Sequence, residues 1–215
     1  MSLLAVCGLG VQRGDCWIFR NLSLSLEPGQ ALAVQGQSGS GKTTLLWTLL
    51  GLQTPTEGEV RLSGAPWSSL TEAQRRPTRN DIQAVFQDPL ASLPPHRTGW
   101  EILEEPLVIH RRGDASGRKE SVAAMAARVK FPEACLGQRP GQWSGGLAQR
   151  LCLARALMLN PKLVALDEPL SALDPTLASH LLALLLELKQ EGLALLLVTH
   201  NPKASARLCD QEIQL

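Results

Sequence analysis

The chain has 215 residues, of which 44% are hydrophobic and 19% charged, a composition that suits one large globular domain or a domain with an insertion. Fifteen arginines and six lysines are scattered among twenty acids, giving a formal net charge of +1. That balance argues against a nucleic-acid partner, which calls for a basic face or a high pI.

In chain order, the N-terminal MSLLAVCGLGVQRGD lacks the basic start and sustained apolar stretch of a signal peptide. Residues 17–27, WIFRNLSLSLE, alternate apolar and polar from Phe19 onward and predict a half-exposed strand. Pro28-Gly29 turns the chain, and ALAVQG at 31–36 predicts a short buried strand. A glycine-rich loop follows, then a helix in KTTLLWTLLGL that ends near Gly51. TPTEGEVRLSG predicts a turn and a strand, and IQAVF at 82–86 another strand.

Residues 88–142 change character. They carry Pro89, Pro94, Pro95, Pro106, Pro132 and Pro140, with helical patches at 99–105 and 117–130. We expect an inserted helical subdomain there, between core segments 1–87 and 143–215. From 144, a helix in SGGLAQRLCLARALML leads to the strand LVALD, the helix PTLASHLLALLLELKQEG, the strand LALLLVTH and a final short EIQL. Strands alternating with helices predict an α/β core with a mainly parallel sheet.

No segment approaches the roughly 18–20 consecutive apolar residues of a membrane span, so membrane association is expected only through a partner. Cys7, Cys16, Cys135, Cys152 and Cys209 form no CxxC pair and predict reduced, packed thiols.

Residues 36–43, GQSGSGKT, fit the phosphate-loop pattern G-x-x-x-x-G-K-[ST] in full, between a predicted strand and a predicted helix. Gly36, Gly39 and Gly41 allow backbone conformations that turn successive N–H groups toward phosphate oxygens. The following helix adds the positive end of its dipole. Gln37, Ser38, Ser40 and Thr44 complete the expected cradle. Lys42 would reach the β- and γ-phosphates of a nucleotide, and the Thr43 hydroxyl would ligate Mg2+.

LVALDEP at 163–169 places two acids at the end of an apolar strand. An acid pair leaving a buried strand at the carboxyl edge of a parallel sheet faces the same crevice as the phosphate loop. Asp167 is the candidate Mg2+ residue and Glu168 the candidate that polarises the attacking water. His200 closes the strand LALLLVT, where an imidazole could contact the γ-phosphate. Gln87, after IQAVF, could ligate Mg2+ or position water. Ser144 can cap its helix while its hydroxyl and the amides of Gly145 and Gly146 form an anion site. The cap and the anion site use the same orphan donors.

GQSGSGKT, Gln87, SGG at 144–146, LVALDEP, SALD at 171–174 and His200 fall in an order that resembles the ABC-type ATPase subunits of membrane transporters. VFQDPLASLPP at 85–95, EILEEPLVIH at 101–110 and QRLCLARALMLNPKLVALDEP at 149–169 resemble the peptide and nickel importer branch. The resemblance implies a P-loop ATPase core with an N-terminal antiparallel β region. It implies a head-to-tail dimer holding two ATP molecules, each between one subunit's phosphate loop and the Ser-Gly-Gly segment of the other, with Asp174 nearby. It further implies that residues 88–142 dock on transmembrane permease subunits at the cytoplasmic face of the inner membrane. An extracytoplasmic substrate-binding protein would supply the cargo. An exporter or lipoprotein-release ATPase is the alternative, and a soluble non-transport ABC protein a weaker one.

Three departures stand out. The family usually has Leu before Ser144 and Gln after Gly146, where this chain has Trp143 and Leu147. It also tends to stack a tyrosine on adenine; this chain has no Tyr, Arg13 stands at the aligned place, and Trp17 is a second candidate. The sequence ends at Leu215, where many relatives carry more strand and an extension. Because the signature acts on the opposite nucleotide, Leu147 would weaken the site facing it, which favours a heterodimer over a homodimer.

Overall fold

A computed structural model describes residues 2–171 and 173–215; Ala172, within SALD, lies outside the described residues. Two sheets organise the fold. The first is antiparallel, with order β2-β1-β4, built from β1 (Leu4–Arg13), β2 (Cys16–Leu26) and β4 (Glu57–Leu62). The second has order β5-β6-β7-β3-β8, built from β3 (Ala31–Gln35), β5 (Ile82–Val85), β6 (Leu163–Asp167), β7 (Ala194–Val198) and β8 (Gln211–Gln214). The pairs β3–β7, β3–β8 and β6–β7 are parallel. Every residue of β6 and β7 is buried, as strands covered on both faces require, and this is why LVALD and ALLLV carry no alternation.

β1 is the central strand of the antiparallel sheet, in the N-terminal β region that the family resemblance implies, although its hydrophobic pattern alone does not mark it as a strand. Gly8 and Gly10 interrupt its apolar pattern, and its register with both neighbours shifts near them. Gly10 is required by close approach: a Cβ there would lie 2.7 Å from Glu57 Cγ and 2.9 Å from Trp17 Cζ3. Leu4, Val6, Leu9 and Val11 are nonetheless buried. Hydrogen bonding on both edges, not periodicity, makes this segment a strand.

α1 (Lys42–Leu49) carries no basic residue in its last turn. Its terminal carbonyls are served from elsewhere. Arg75, at the end of α2 (Glu72–Arg75), donates to Gly51 O, and Arg79 donates to Leu50 O at 2.6 Å. The two guanidiniums also lie 5.7 and 5.3 Å from the buried ring of Trp67. Opposite charge is thereby placed at the negative end of the helix dipole.

The chain divides into two compact units. One holds residues up to Ala84, Lys162–Glu168 and Leu185–Leu215; the other holds Val85–Pro161 and Pro169–Leu184. The second unit contains α3 (Gly99–Ile109), α4 (Ala115–Arg128), α5 (Gly145–Leu157) and the start of α6 (Pro175–Gln190). α3 opens with a capping box in which Thr98 accepts from the Glu101 amide and the Glu101 carboxylate accepts from Thr98. It runs through Pro106 to Ile109, past the expected end at 105, because Leu107 beyond the proline is buried. α7 (Pro202–Leu208), in the first unit, was not anticipated. Asn201 caps it by accepting from the amides of Lys203 and Ala204. No helix among the described residues is long and apolar enough to cross a membrane.

Candidate nucleotide site

The phosphate loop joins β3 to α1. Gly36, Gly39 and Gly41 have φ of 158°, 84° and 100°, and Gly41 sits at the N-cap position of α1. At Gly41 a side chain is excluded twice: by its left-handed φ and by Ile18 Cγ2, which would lie 2.4 Å from a Cβ. Ile18 is skipped in the β1–β2 register, between Val11↔Phe19 and Gln12↔Trp17, so an irregularity in the hairpin delivers it to the loop. Lys42 Nζ donates to Gly36 O and Gln37 O, both at 2.8 Å, which draws the ammonium across the loop. The Ser40 hydroxyl is buried and has no hydrogen-bond partner among the described residues. A left-handed glycine framework, a spanning ammonium and an orphaned hydroxyl are the donor set that a polyphosphate fits.

β6 delivers the acids. Asp167 is 5% exposed. Burial raises its pKa above the ordinary carboxylate range and neighbouring Glu168 adds to the rise, while Lys42 opposes both. A buried carboxylate held against its own desolvation beside Lys42 suits a divalent cation, which would offset the burial cost. Glu168 has φ of +50°, an uncommon conformation for a residue with a Cβ. Its amide donates to Val198 O at 2.9 Å, so the chain turns sharply as it leaves β6.

That turn aims the Glu168 carboxylate at His200. The Nδ1 of His200 lies 2.8 Å from Glu168 Oε1, with the glutamate side chain 12% exposed and the imidazole 70% exposed. His200 follows Thr199, whose amide donates to Val34 O at 3.2 Å and whose hydroxyl accepts from the Asn201 amide at 3.0 Å. Lys42, Asp167, Glu168 and His200 all belong to the first unit, on strand ends and the loop at the carboxyl edge of the parallel sheet.

The remaining candidates belong to other elements. Gln87 is exposed and belongs to the second unit. So do Ser144, Gly145 and Gly146, where Ser144 caps α5 and its hydroxyl accepts from the Leu147 amide at 3.4 Å. Gly146 is packed so closely that a Cβ would lie 2.7 Å from Leu177 Cδ1. Trp143 is a core residue of that unit, 6% exposed, its ring meeting Phe131 edge-on at 5.4 Å. Asp174 accepts from the amides of Thr176 and Leu177 at 2.9 and 3.0 Å, at the start of α6. Arg13 is exposed at the β1–β2 hairpin, and Trp17 already carries the Arg20 guanidinium 4.5 Å from its ring. Gln35, immediately before Gly36, and Ser205, whose hydroxyl accepts from Gln35 Nε2 at 2.8 Å, have no motif; the one signal is a polar residue closing the buried run ALAV.

Comparison with known proteins gives one answer. Residues 19–171 match the ABC transporter family. Nickel import ATP-binding protein NikE of Escherichia coli (strain K12) is 40% identical over 195 residues, spanning 90% of this chain and 73% of that protein. NikE of Shigella dysenteriae serotype 1 (strain Sd197) matches to the same extent, 40% over 195 residues. Among solved structures, the dimeric post-hydrolysis state of the ATP-binding cassette MJ0796 bound to ADP and Pi superposes with a TM-score of 0.89 at 30% identity, covering 99% of this chain and 94% of that one. A second dimeric structure of MJ0796, a bacterial ABC transporter cassette, gives 0.90 at the same identity. The chain belongs to the ABC transporter family, as one of its ATP-binding, ATP-hydrolysing subunits.

Proposed function

We propose that this protein powers an importer of the nickel and peptide branch, coupling ATP hydrolysis to a permease. The observation that carries the chemistry is the meeting of Lys42, Asp167, Glu168 and His200 at one sheet edge, with His200 Nδ1 2.8 Å from the Glu168 carboxylate. The direction of transport rests on relatives whose names say nickel import.

In this reading, the amides of Gly36–Thr44 and the Lys42 ammonium bind the β- and γ-phosphates. Thr43, Asp167 and Gln87 would hold Mg2+, which when bound neutralises phosphate charge. Glu168 accepts a proton from the water that attacks the γ-phosphorus, and His200 holds the carboxylate in place while reaching toward the γ-phosphate. Ser144, Gly145, Gly146 and Asp174 serve the nucleotide of a second ATP-binding subunit, and Arg13 or Trp17 meets the adenine. Residues 88–142 meet the permease at the cytoplasmic face of the membrane.

The test is Mg-ATP hydrolysis by the purified chain, alone and with permease in proteoliposomes, with Glu168→Gln as control. Loss of turnover in the variant with nucleotide binding retained is expected. Unchanged turnover in Glu168→Gln would refute the assignment of the base.

A further inference from the structure

Behind the nucleotide site, three elements of the first unit meet through one buried hydroxyl. Ser205, in α7, is 0% exposed. Its Oγ accepts from Gln35 Nε2 at 2.8 Å and donates to the carboxylate of Glu212 in β8. The same Gln35 amide group accepts at Oε1 from Gln214 Nε2 at 2.9 Å. Gln35 is also held through its backbone, its carbonyl accepting from the Leu215 amide at 2.9 Å. Three of these four hydrogen bonds end on Gln35, the residue immediately before Gly36, and the fourth anchors Ser205 to β8.

Gly36 has no slack on that side. A Cβ there would lie 2.5 Å from Ser40 Oγ and 2.8 Å from Leu215 O, so the first residue of the phosphate loop is pressed between the loop's own serine and the chain after β8. At the other end of the link, α7 begins two residues after His200 and is fastened to it by the Asn201 cap. A shift of α7 that carries His200 must therefore break the Gln35–Ser205 bond or move the start of the phosphate loop.

We infer that Gln35 and Ser205 are a positioning pair that couples phosphate binding at the loop to the placement of His200. Neither residue touches nucleotide; Gln35 acts through Gly36, and Ser205 through α7 and Asn201. The Ser205 hydroxyl is buried and has both a donor and an acceptor supplied, which favours one arrangement of α7 against Gln35, so an ordering of the loop is passed to α7. The inference rests on the reading of GQSGSGKT as the phosphate site.

Amide hydrogen exchange on the full chain, with and without Mg-ADP, tests it. ADP lacks the γ-phosphate, so protection of α7 cannot come from a direct contact of His200 with that group. In the wild-type chain Mg-ADP is expected to slow exchange in both 36–48 and 201–208. In Ser205→Ala and in Gln35→Leu, the slowing at 36–48 is expected to persist while that at 201–208 falls by at least about fivefold. Leu208→Ala, which loosens α7 packing without touching the link, should raise exchange in 201–208 in the absence of nucleotide yet keep the Mg-ADP effect. Retained slowing at 201–208 in both link variants, or no such slowing in the wild-type chain, would overturn the coupling. Absence of protection at 36–48 in the wild-type chain would instead refute the nucleotide reading, and the coupling with it.

Discussion

Glu168 shows what a single residue does here. Its φ of +50° is held by the bond from its amide to Val198 O, and the reward is a carboxylate aimed at His200. Glu168→Gln is expected to lower ATP turnover by roughly a hundred- to ten-thousand-fold, the range of a lost general base, without weakening nucleotide binding. Gly41→Ala meets both a φ of 100° and Ile18, so ATP affinity in a binding titration should fall at least about tenfold, equivalent to about 1.4 kcal/mol of strain. Asp167 makes a prediction in pH. Its folded-state pKa is raised above the ordinary 3.8, chiefly by burial. Between that ordinary value and the raised one, the folded protein holds a proton that the unfolded chain has released. Stability contributed by this residue therefore falls as pH rises through the window and stays low above it. Without nucleotide, Asp167→Asn should melt above wild type at pH 7, and the gap should narrow as pH falls through that window. Thermal melts across pH check this, and a lower melting temperature at pH 7 would contradict it.

At the scale of elements, the signature helix α5 separates two substitutions that look alike in sequence. Trp143 is spent on the core of the second unit, against Phe131, whereas Leu147 is half-buried in the first turn. Trp143→Ala should cost roughly 3–5 kcal/mol in denaturant unfolding, as a large aromatic vacates a core site, while the Ser144 cap remains. α1 shows the complementary case. Its C-terminal carbonyls at Leu50 and Gly51 are capped by Arg79 and Arg75 from another segment, so the helix end that the local sequence leaves bare is completed across the fold.

At the scale of the whole molecule, the Ser144–Gly146 segment has no target within its own subunit in the proposed reading. Leu147 then matters only to the opposite nucleotide. The chain alone is expected to show weak ATPase activity that rises with protein concentration. Leu147→Gln should raise that activity by about tenfold, the equivalent of one good hydrogen bond to a charged group. A gain of the same size on adding a distinct ATP-binding subunit to the wild-type chain would identify a heterodimer as the working form.

Much of this was legible along the chain, for a local reason. The phosphate loop is contiguous, and its glycines, lysine and threonine work within a few residues of one another. β6 and β7 announce themselves as apolar runs because strands buried on both faces need no alternation. The caps of α3 and α5 lie within four residues of their donors. What the tertiary structure decided is nonlocal. β1 is a strand because β2 and β4 bond to its two edges, which no periodicity across Gly8 and Gly10 could show. Glu168 and His200 are 32 positions apart and meet because β6 and β7 are parallel neighbours with the same end. Gln35 and Ser205 are 170 positions apart and meet only once β8 has closed the sheet beside β3. The sequence alone determined the fold class and the chemistry of the loop, because turn geometry and hydrophobic runs are short-range. The pairings that orient the acids, raise the pKa of Asp167 and fasten the loop to α7 arise from strand order, and strand order exists only in the folded chain.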